Sequence, residues 1–235
     1  MTGLFSDFSQ RRAVTILRIL YPIWAVVGMF GLMYVPSRLI VPDDAATTAS
    51  NLVSNELLFN AGIVGSLVTQ LIHIVVVLVL YELFKPVSKR QAALIVVLGL
   101  VGVPIAMFAT VGQAAALMIA KGAGTLSAFS ADQAQSLMMF FLDLNDQGVL
   151  VASIFWGLWL FPIGTLTYES GYLPKLFGHC MIAAGVGYFL GSLGHLLSPI
   201  DEGIFFQVMD ILVFGEIIFM LWFVVRGARL PDTSA

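Results

Sequence analysis

The sequence predicts an all-α, polytopic integral membrane protein built as a bundle of six transmembrane helices. Of its 235 residues, 59% are hydrophobic and 11% are charged, whereas soluble domains carry about 25% charged residues. The mean hydropathy is +0.97. Six apolar runs are each long enough to cross the ~30 Å hydrocarbon core of a bilayer as a helix. These observations predict one transmembrane domain over residues 1–235.

Charge and cysteine content exclude two classes of protein. The net charge at pH 7 is −3, and no block of basic residues indicates a nucleic-acid partner. The single cysteine, Cys180, lies inside an apolar run, so a disulfide framework is excluded. The lipid bilayer is therefore the predicted partner, and nucleic acid is not.

The apolar runs and the breaks between them give the order of the chain. The predicted spans are residues 13–34, 57–84, 91–120, 147–168, 175–197 and 204–225. Spans four and five form a helical hairpin, because the short turn between them contains Gly171 and Pro174. Pro42 and the two aspartates after it predict a short helix in the loop between spans one and two. The mixed segment 122–146 predicts an amphipathic helix leading into span four.

The distribution of Lys and Arg predicts the orientation in the membrane. Positive residues collect in short cytoplasmic loops. With the N-terminus inside, the cytoplasmic ends hold nine basic residues: Arg11, Arg12, Arg18, Lys85, Lys89, Arg90, Lys175, Arg226 and Arg229. Arg38 and Lys121 lie outside. Both termini are therefore predicted to be cytoplasmic, in a multi-pass protein of the cell inner (plasma) membrane.

Four stretches of the chain resemble a known family. They are SRLIVPDDAATTASNLVSNELLFNAG after span one, LYELFKPVSKRQAAL at the turn after span two, IFWGLWLFPIGTLTYESGYLPKLFG in the hairpin and FGEIIFMLWFVVRGAR in span six. On these stretches the chain is similar to the bacterial membrane proteins of domain-of-unknown-function family 4386. The resemblance implies the membrane class, and it implies no substrate.

Ionisable residues inside the spans are the main indication of function. A charge near the centre of a transmembrane helix costs at least ~2.5–3.5 kcal/mol on insertion scales, so such a group usually faces a partner or water. The candidates are His73, His179, His195, Asp210 and Glu216. The neutral polar residues Asn60, Gln70 and Gln113 cost less to insert.

Depth along the helices suggests a pair of these residues. Glu216 lies about 15 Å from Arg226 at the inner end of span six, and His73 lies about 16 Å from Phe84 at the inner end of span two. A His73–Glu216 pair would lower the cost of burying both groups. The alternative is a protonated Glu216 that is hydrogen-bonded to the backbone or to Gln70 and serves only the structure.

A second polar level is predicted nearer the outer side. His195 and Asp210 fall there, at a depth comparable to that of Asn60, Gln113, Asp143 and Asp146. These side chains would line a water-filled vestibule. The alternative is that they are interfacial residues solvated by lipid headgroups.

Helical periodicity predicts which faces of the spans are buried. Gly62, Ser66, Gln70 and His73 share one face of span two. Small residues recur along span five at Ala183, Gly187 and Gly191 and end at His195; a similar stripe in span three is Gly99, Gly102, Ala106, Ala109 and Gln113. Small residues at this spacing allow close helix–helix approach.

The histidines do not predict a metal or haem site. A zinc ion needs three or four ligands that converge on one point, but His179, His73 and His195 lie at inner, middle and outer depths. The sequence predicts no metal and identifies no cofactor.

The leading functional hypothesis is a protein that binds or transports a small or lipid-like molecule in an intramembrane pocket among spans two, five and six. The predicted ligand-binding residues are His73, Gln70, Glu216, Asp210 and His195. One alternative is an intramembrane enzyme that uses Glu216 or Asp210 with a histidine. Another is a structural or assembly subunit of a membrane complex, and a homo-oligomer also stays open.

Overall fold

The computed structural model describes residues 9–122, 128–197 and 203–231, and within them it is helical without strands. The helices are α1 (Gln10–Gly28), α2 (Val35–Leu39), α3 (Ala45–Ser54), α4 (Glu56–Phe84), α5 (Lys89–Ala120), α6 (Ala131–Leu158), α7 (Leu160–Ser170), α8 (Lys175–Leu197) and α9 (Ile204–Arg226). In these ranges six helical segments are long and apolar enough to cross a membrane: Gln10–Leu39, Glu56–Phe84, Lys89–Ala120, Ala131–Ser170, Lys175–Leu197 and Ile204–Arg226. The predicted all-α, six-span fold is confirmed.

The helix of span one is longer than the predicted span. A π-helical segment, Met29–Tyr34, joins α1 to α2, so the helix ends at Leu39 and not at residue 34. The amide of Val35 donates to the carbonyl of Phe30, five residues earlier. This wider hydrogen-bond pattern directly precedes Pro36, which has no amide hydrogen of its own. The proline therefore follows a π-helical turn in a continuous helix and does not end it.

The predicted helix in the loop after span one is present as α3. The Asp44 side chain caps its N-terminus, because Oδ1 accepts a hydrogen bond from the Thr47 amide at 2.9 Å. The Thr48 hydroxyl accepts from the Val41 amide at 2.9 Å and so joins the helix to the preceding loop.

The helix of span four starts before the predicted span. The span is predicted to begin at residue 147, but the helical segment runs from Ala131 to Ser170. Its 40 residues correspond to about 60 Å of helix, twice the hydrocarbon thickness. The predicted amphipathic helix is therefore the first part of α6, although residues 123–127 lie outside the described part of the chain. The break between α6 and α7 lies at Trp159, where Pro162 cannot donate to the Leu158 carbonyl.

Packing divides the chain into two compact units. The first unit contains Met1–Ile23, His73–Gly102 and Val151–Ala235, and the second contains Trp24–Ile72 and Val103–Leu150. That residues 1–235 act as a single domain stays a prediction.

Glycines bring the helices of the first unit close together. A methyl group at Gly164 of α7 would lie 2.7 Å from the Gly178 carbonyl oxygen of α8. A methyl group at Gly187 of α8 would lie 2.6 Å from the Met209 carbonyl oxygen of α9. The predicted small-residue stripe of span five therefore packs against α9. Gly178, elsewhere on α8, packs against α7.

The second unit has an apolar core contributed by α2 to α6. Its buried members are Val35, Leu39, Leu52, Phe59, Ala116, Leu117, Ile119, Met138 and Leu142. At the end of this core, the Lys121 ammonium and the Glu56 carboxylate form an ion pair at 2.6 Å. The pair joins the end of α5 to the start of α4, as expected for two neighbouring antiparallel helices.

Candidate functional site

The predicted polar face of α4 is buried. Ser66, Gln70 and His73 are 2%, 3% and 2% exposed, as their helical spacing predicts. Gly31 lets the backbone of span one approach this face, since a methyl group there would lie 2.5 Å from the Ser66 amide nitrogen. The close approach covers Ser66 within the second unit.

The second unit places polar side chains from three helices at a common depth. Measured from the Lys121–Glu56 ion pair, Gln113 lies about 12 Å along α5 and Ser66 about 15 Å along α4. Asn145 of α6 belongs to the same level, because its backbone nitrogen would lie 3.2 Å from a methyl group at Gly112. Gln70 lies one turn deeper than Ser66. We call Ser66, Gln70, Gln113 and Asn145 the polar layer.

Three members of the polar layer carry buried atoms with unused hydrogen-bonding capacity. The Ser66 hydroxyl, the Gln70 amide oxygen and the Gln113 amide oxygen have no hydrogen-bond partner among the described residues. Asn145, which is 6% exposed, uses its amide to donate to Asp146 at 3.1 Å. The layer therefore presents two free carbonyl acceptors and a hydroxyl in the interior of the unit.

His73 belongs to the first unit, where its ring packs against an indole. The centroids of the His73 and Trp159 rings are 4.6 Å apart. Gly99 of α5 faces the same pair, since a methyl group there would lie 3.2 Å from the Trp159 ring and 3.5 Å from His73 Nε2. The glycine leaves room for two aromatic rings where α5 packs on α4 and on the break between α6 and α7.

Glu216 lies near two tyrosines and is hydrogen-bonded to one of them. The Tyr188 hydroxyl of α8 is hydrogen-bonded to the Glu216 carboxylate of α9, and Tyr21 of α1 lies within electrostatic range of the same carboxylate. The Tyr21 ring also makes edge contacts with Phe219 and Phe223, with centroids 6.4 and 5.6 Å apart. The predicted pairing of His73 with Glu216 stays a prediction.

His195 and Asp210 lie near the facing ends of α8 and α9, and both are exposed. The His195 ring packs on Phe206 of α9, with centroids 4.2 Å apart. This contact continues the small-residue stripe of α8, as its spacing predicts. Asp210 lies one turn after Phe206.

The structure gives the predicted residues separate surroundings. Gln70 belongs to the polar layer of the second unit, while His73, Glu216 and His195 have three different sets of neighbours in the first unit. In the described part of the chain, no three His, Cys, Asp or Glu side chains come together in a way that could hold a metal ion. Of the predicted vestibule residues, Gln113 is buried, whereas Asn60, Asp143 and Asp146 are exposed. The vestibule stays a prediction.

Sequence reasoning missed two polar residues. Asn145 follows Met138 and Leu142 at helical spacing, and all three are buried, so the periodicity alone could have identified it. Tyr188 lies about 20 Å from Lys175 along α8. A phenol at that depth is a suitable donor to an intramembrane carboxylate, which is the role that the structure shows.

Comparison with known proteins places the chain in a family. The family model described as "Domain of unknown function (DUF4386)" matches residues 18–227. The chain belongs to this family. This DUF4386 chain is also 29% identical over 170 residues to an "Uncharacterized protein" of Archaeoglobus fulgidus, which covers 72% of the chain and 86% of the relative. No solved structure matches the chain.

The family match covers five spans of this DUF4386 chain in full and the first span from residue 18 onward. It confirms the resemblance found in the sequence and agrees with a multi-pass membrane protein. The choice of membrane and the cytoplasmic location of both termini stay predictions.

Proposed function

We propose that this protein binds a small or lipid-like molecule through the polar layer in the interior of its helices, as a membrane carrier or receptor. One observation supports the proposal most strongly. The Gln70 and Gln113 amide oxygens and the Ser66 hydroxyl are buried and have no hydrogen-bond partner within the described chain.

Such groups are costly in a membrane protein. An unsatisfied buried polar group costs about 1–3 kcal/mol, and the hydrocarbon core supplies no water to compensate. Leucine at either glutamine position would avoid this cost. Buried polar side chains on neighbouring helices, within about two helical turns of one another in depth, are therefore useful to a binding function and costly to a purely structural core.

The chemistry of the layer defines the ligand class. The two free amide oxygens accept hydrogen bonds, so the ligand supplies N–H or O–H donors. Because the surrounding core is apolar, the rest of the ligand is apolar too. A lipid-like alcohol, amine or amide fits this description.

Of the five predicted ligand-binding residues, only one belongs to the site proposed above. Gln70 is part of the polar layer, whereas roles for His73, Glu216, Asp210 and His195 in ligand binding stay predictions. The enzyme alternative requires a histidine beside a carboxylate, and the contacts of Glu216 with tyrosines favour it less.

Native mass spectrometry of the full chain in mild detergent tests the proposal, followed by extraction of any bound molecule. We expect a specific adduct on the wild type and none on the double variant Gln70→Leu/Gln113→Leu. Gln207→Leu, a matched change at an exposed position of α9, should keep the adduct. The double variant should melt no lower than the delipidated wild type, since leucine removes two unsatisfied groups. A wild type without an adduct, or an adduct that persists on the double variant, would contradict the proposal.

A further inference from the structure

A cavity of about 520 Å³ lies in the first unit and shares no residue with the polar layer. One wall is the turn between α7 and α8, residues 171–174, and the other is the end of α9 with Trp222, Arg226, Gly227 and Arg229. This volume falls within the range of small-molecule sites. It is large enough for a phosphate group with its substituents.

Hydrogen bonds and ring packing hold the two walls together. The Arg229 amide donates to the Tyr172 carbonyl at 2.8 Å, which joins the chain after α9 to the turn. The Tyr172 hydroxyl accepts from the Gln10 amide at 2.7 Å, and the Tyr172 ring stacks on Phe84. The cavity is thus built on a braced turn that contacts three other parts of the same unit.

The cavity carries positive charge that no carboxylate in the described part of the chain neutralises. Arg226 and Arg229 are both exposed, and in the described ranges neither has a carboxylate within ion-pair distance. Arg18 lies beside them, but its guanidinium donates to the Val224 and Val225 carbonyls. Two guanidinium groups therefore remain available at the cavity, and guanidinium matches the geometry of phosphate.

The position in the chain suits a ligand at the membrane surface. The cavity lies at the end of α9 that is predicted to be cytoplasmic, where Trp222 is placed as interfacial tryptophans are. Anionic lipid headgroups collect on that leaflet and attract basic residues near its surface.

We propose that this cavity is a binding site for a phosphate-bearing anion, held by Arg226 and Arg229. The site is separate from the polar layer and goes beyond the proposed function. The phosphate belongs either to the headgroup of an anionic phospholipid or to a free soluble phosphate. Both share the chemistry that two guanidinium groups recognise.

The test measures binding to the purified full chain in neutral detergent with three probes. They are short-chain phosphatidylglycerol, short-chain phosphatidylcholine and inorganic phosphate, each titrated by a thermal-shift assay. We expect Arg226→Gln/Arg229→Gln to weaken binding of the anionic probe by about tenfold or more, since each basic residue near the surface contributes to the attraction. The control Lys89→Gln/Arg90→Gln removes two exposed charges on the same predicted side, outside the cavity walls, and should bind as the wild type does.

The outcomes separate the two sources and can overturn the site. Binding of phosphatidylglycerol but not of inorganic phosphate supports a lipid headgroup, and binding of both supports a site for phosphate itself. Equal binding of phosphatidylcholine and phosphatidylglycerol, or equal weakening by both double variants, would overturn the proposal. If Arg226→Gln/Arg229→Gln does not fold, the single variant Arg229→Gln replaces it, with Arg90→Gln as control and the same criteria.

Discussion

The Tyr188 side chain of α8 is hydrogen-bonded to the Glu216 carboxylate of α9, in the middle of both helices. The two helices approach closely on either side of this bond. Gly187 packs on the Met209 carbonyl, and Gly215 packs on the Cys180 backbone. An intramembrane carboxylate is therefore paired with a phenol between two glycine contacts. The bond links the two helices where glycines bring their backbones close together.

A double-mutant cycle should measure this bond. We expect Tyr188→Phe and Glu216→Leu to be non-additive, because each removes one partner of the bond. The coupling energy should be about 0.6 kcal/mol and at most about 1.7 kcal/mol, the average and the maximum for interhelical hydrogen bonds in membranes. Thermal unfolding in detergent gives the four values that are required. A coupling energy of zero would mean that the two side chains do not interact in the folded protein.

The glycine contact between α7 and α8 should be intolerant of added volume. Gly164→Ala places a methyl group 2.7 Å from the Gly178 carbonyl oxygen, and the backbone must shift to admit it. We expect a loss of about 1–3 kcal/mol, as for other overpacked sites. Gly191→Ala, inside α8, is the matched control, because a methyl group there meets only the Met209 side chain, at 3.4 Å, an ordinary van der Waals distance. Equal melting temperatures for the two variants would rule out the close contact.

The stability of α3 should depend on pH through the Asp44 carboxyl at its N-cap. Hydrogen bonds from the Thr47 amide and hydroxyl to Asp44 lower the pKa of its carboxyl below the ordinary value of 3.8. Because the folded-state pKa is depressed, the charged cap stabilises α3 fully above about pH 4 and loses this effect as the pH falls through the folded-state pKa.

Hydrogen exchange of the amides of α3 measures this effect in the wild type and in Asp44→Asn, which can still cap but does not titrate. The wild type should lose protection relative to the variant only as the solution becomes acidic. A constant difference between the two proteins at every pH would show that the charge of Asp44 plays no part.

The predicted orientation can be tested with single cysteines in a Cys180→Ala background. We expect a membrane-impermeant maleimide to label Lys121→Cys on intact cells and to label Lys89→Cys only after permeabilisation. Both positions are exposed, and loss of the exposed Lys121–Glu56 ion pair should cost little. The reverse pattern would invert the topology.

Most of the fold was predictable because the hydropathy of a span is summed over some twenty residues. Two helix ends were not. Pro36 indicates a stop, yet a π-helical turn precedes it and the helix continues to Leu39. The polar residues before residue 147 indicate the end of the hydrocarbon region, yet α6 begins at Ala131, because a helix continues beyond the lipid as readily as within it.

The site was predictable only as far as one helix determines it. Periodicity identified the buried face that carries Ser66, Gln70 and His73, since this face depends on α4 alone. The partners depend on how other helices are rotated against it. Depth along the helices suggested a pair of Glu216 with His73, which stays a prediction, but it could not identify Tyr188 as a partner of Glu216 or Trp159 as a neighbour of His73.

An experimental structure of the protein purified in mild detergent, at a resolution that shows ordered small molecules, tests the central claim most directly. The account predicts non-protein density larger than water within about 3.5 Å of the Gln70 or Gln113 amide oxygen. A polar layer that holds only water, or one whose amides are bonded to each other, would contradict it.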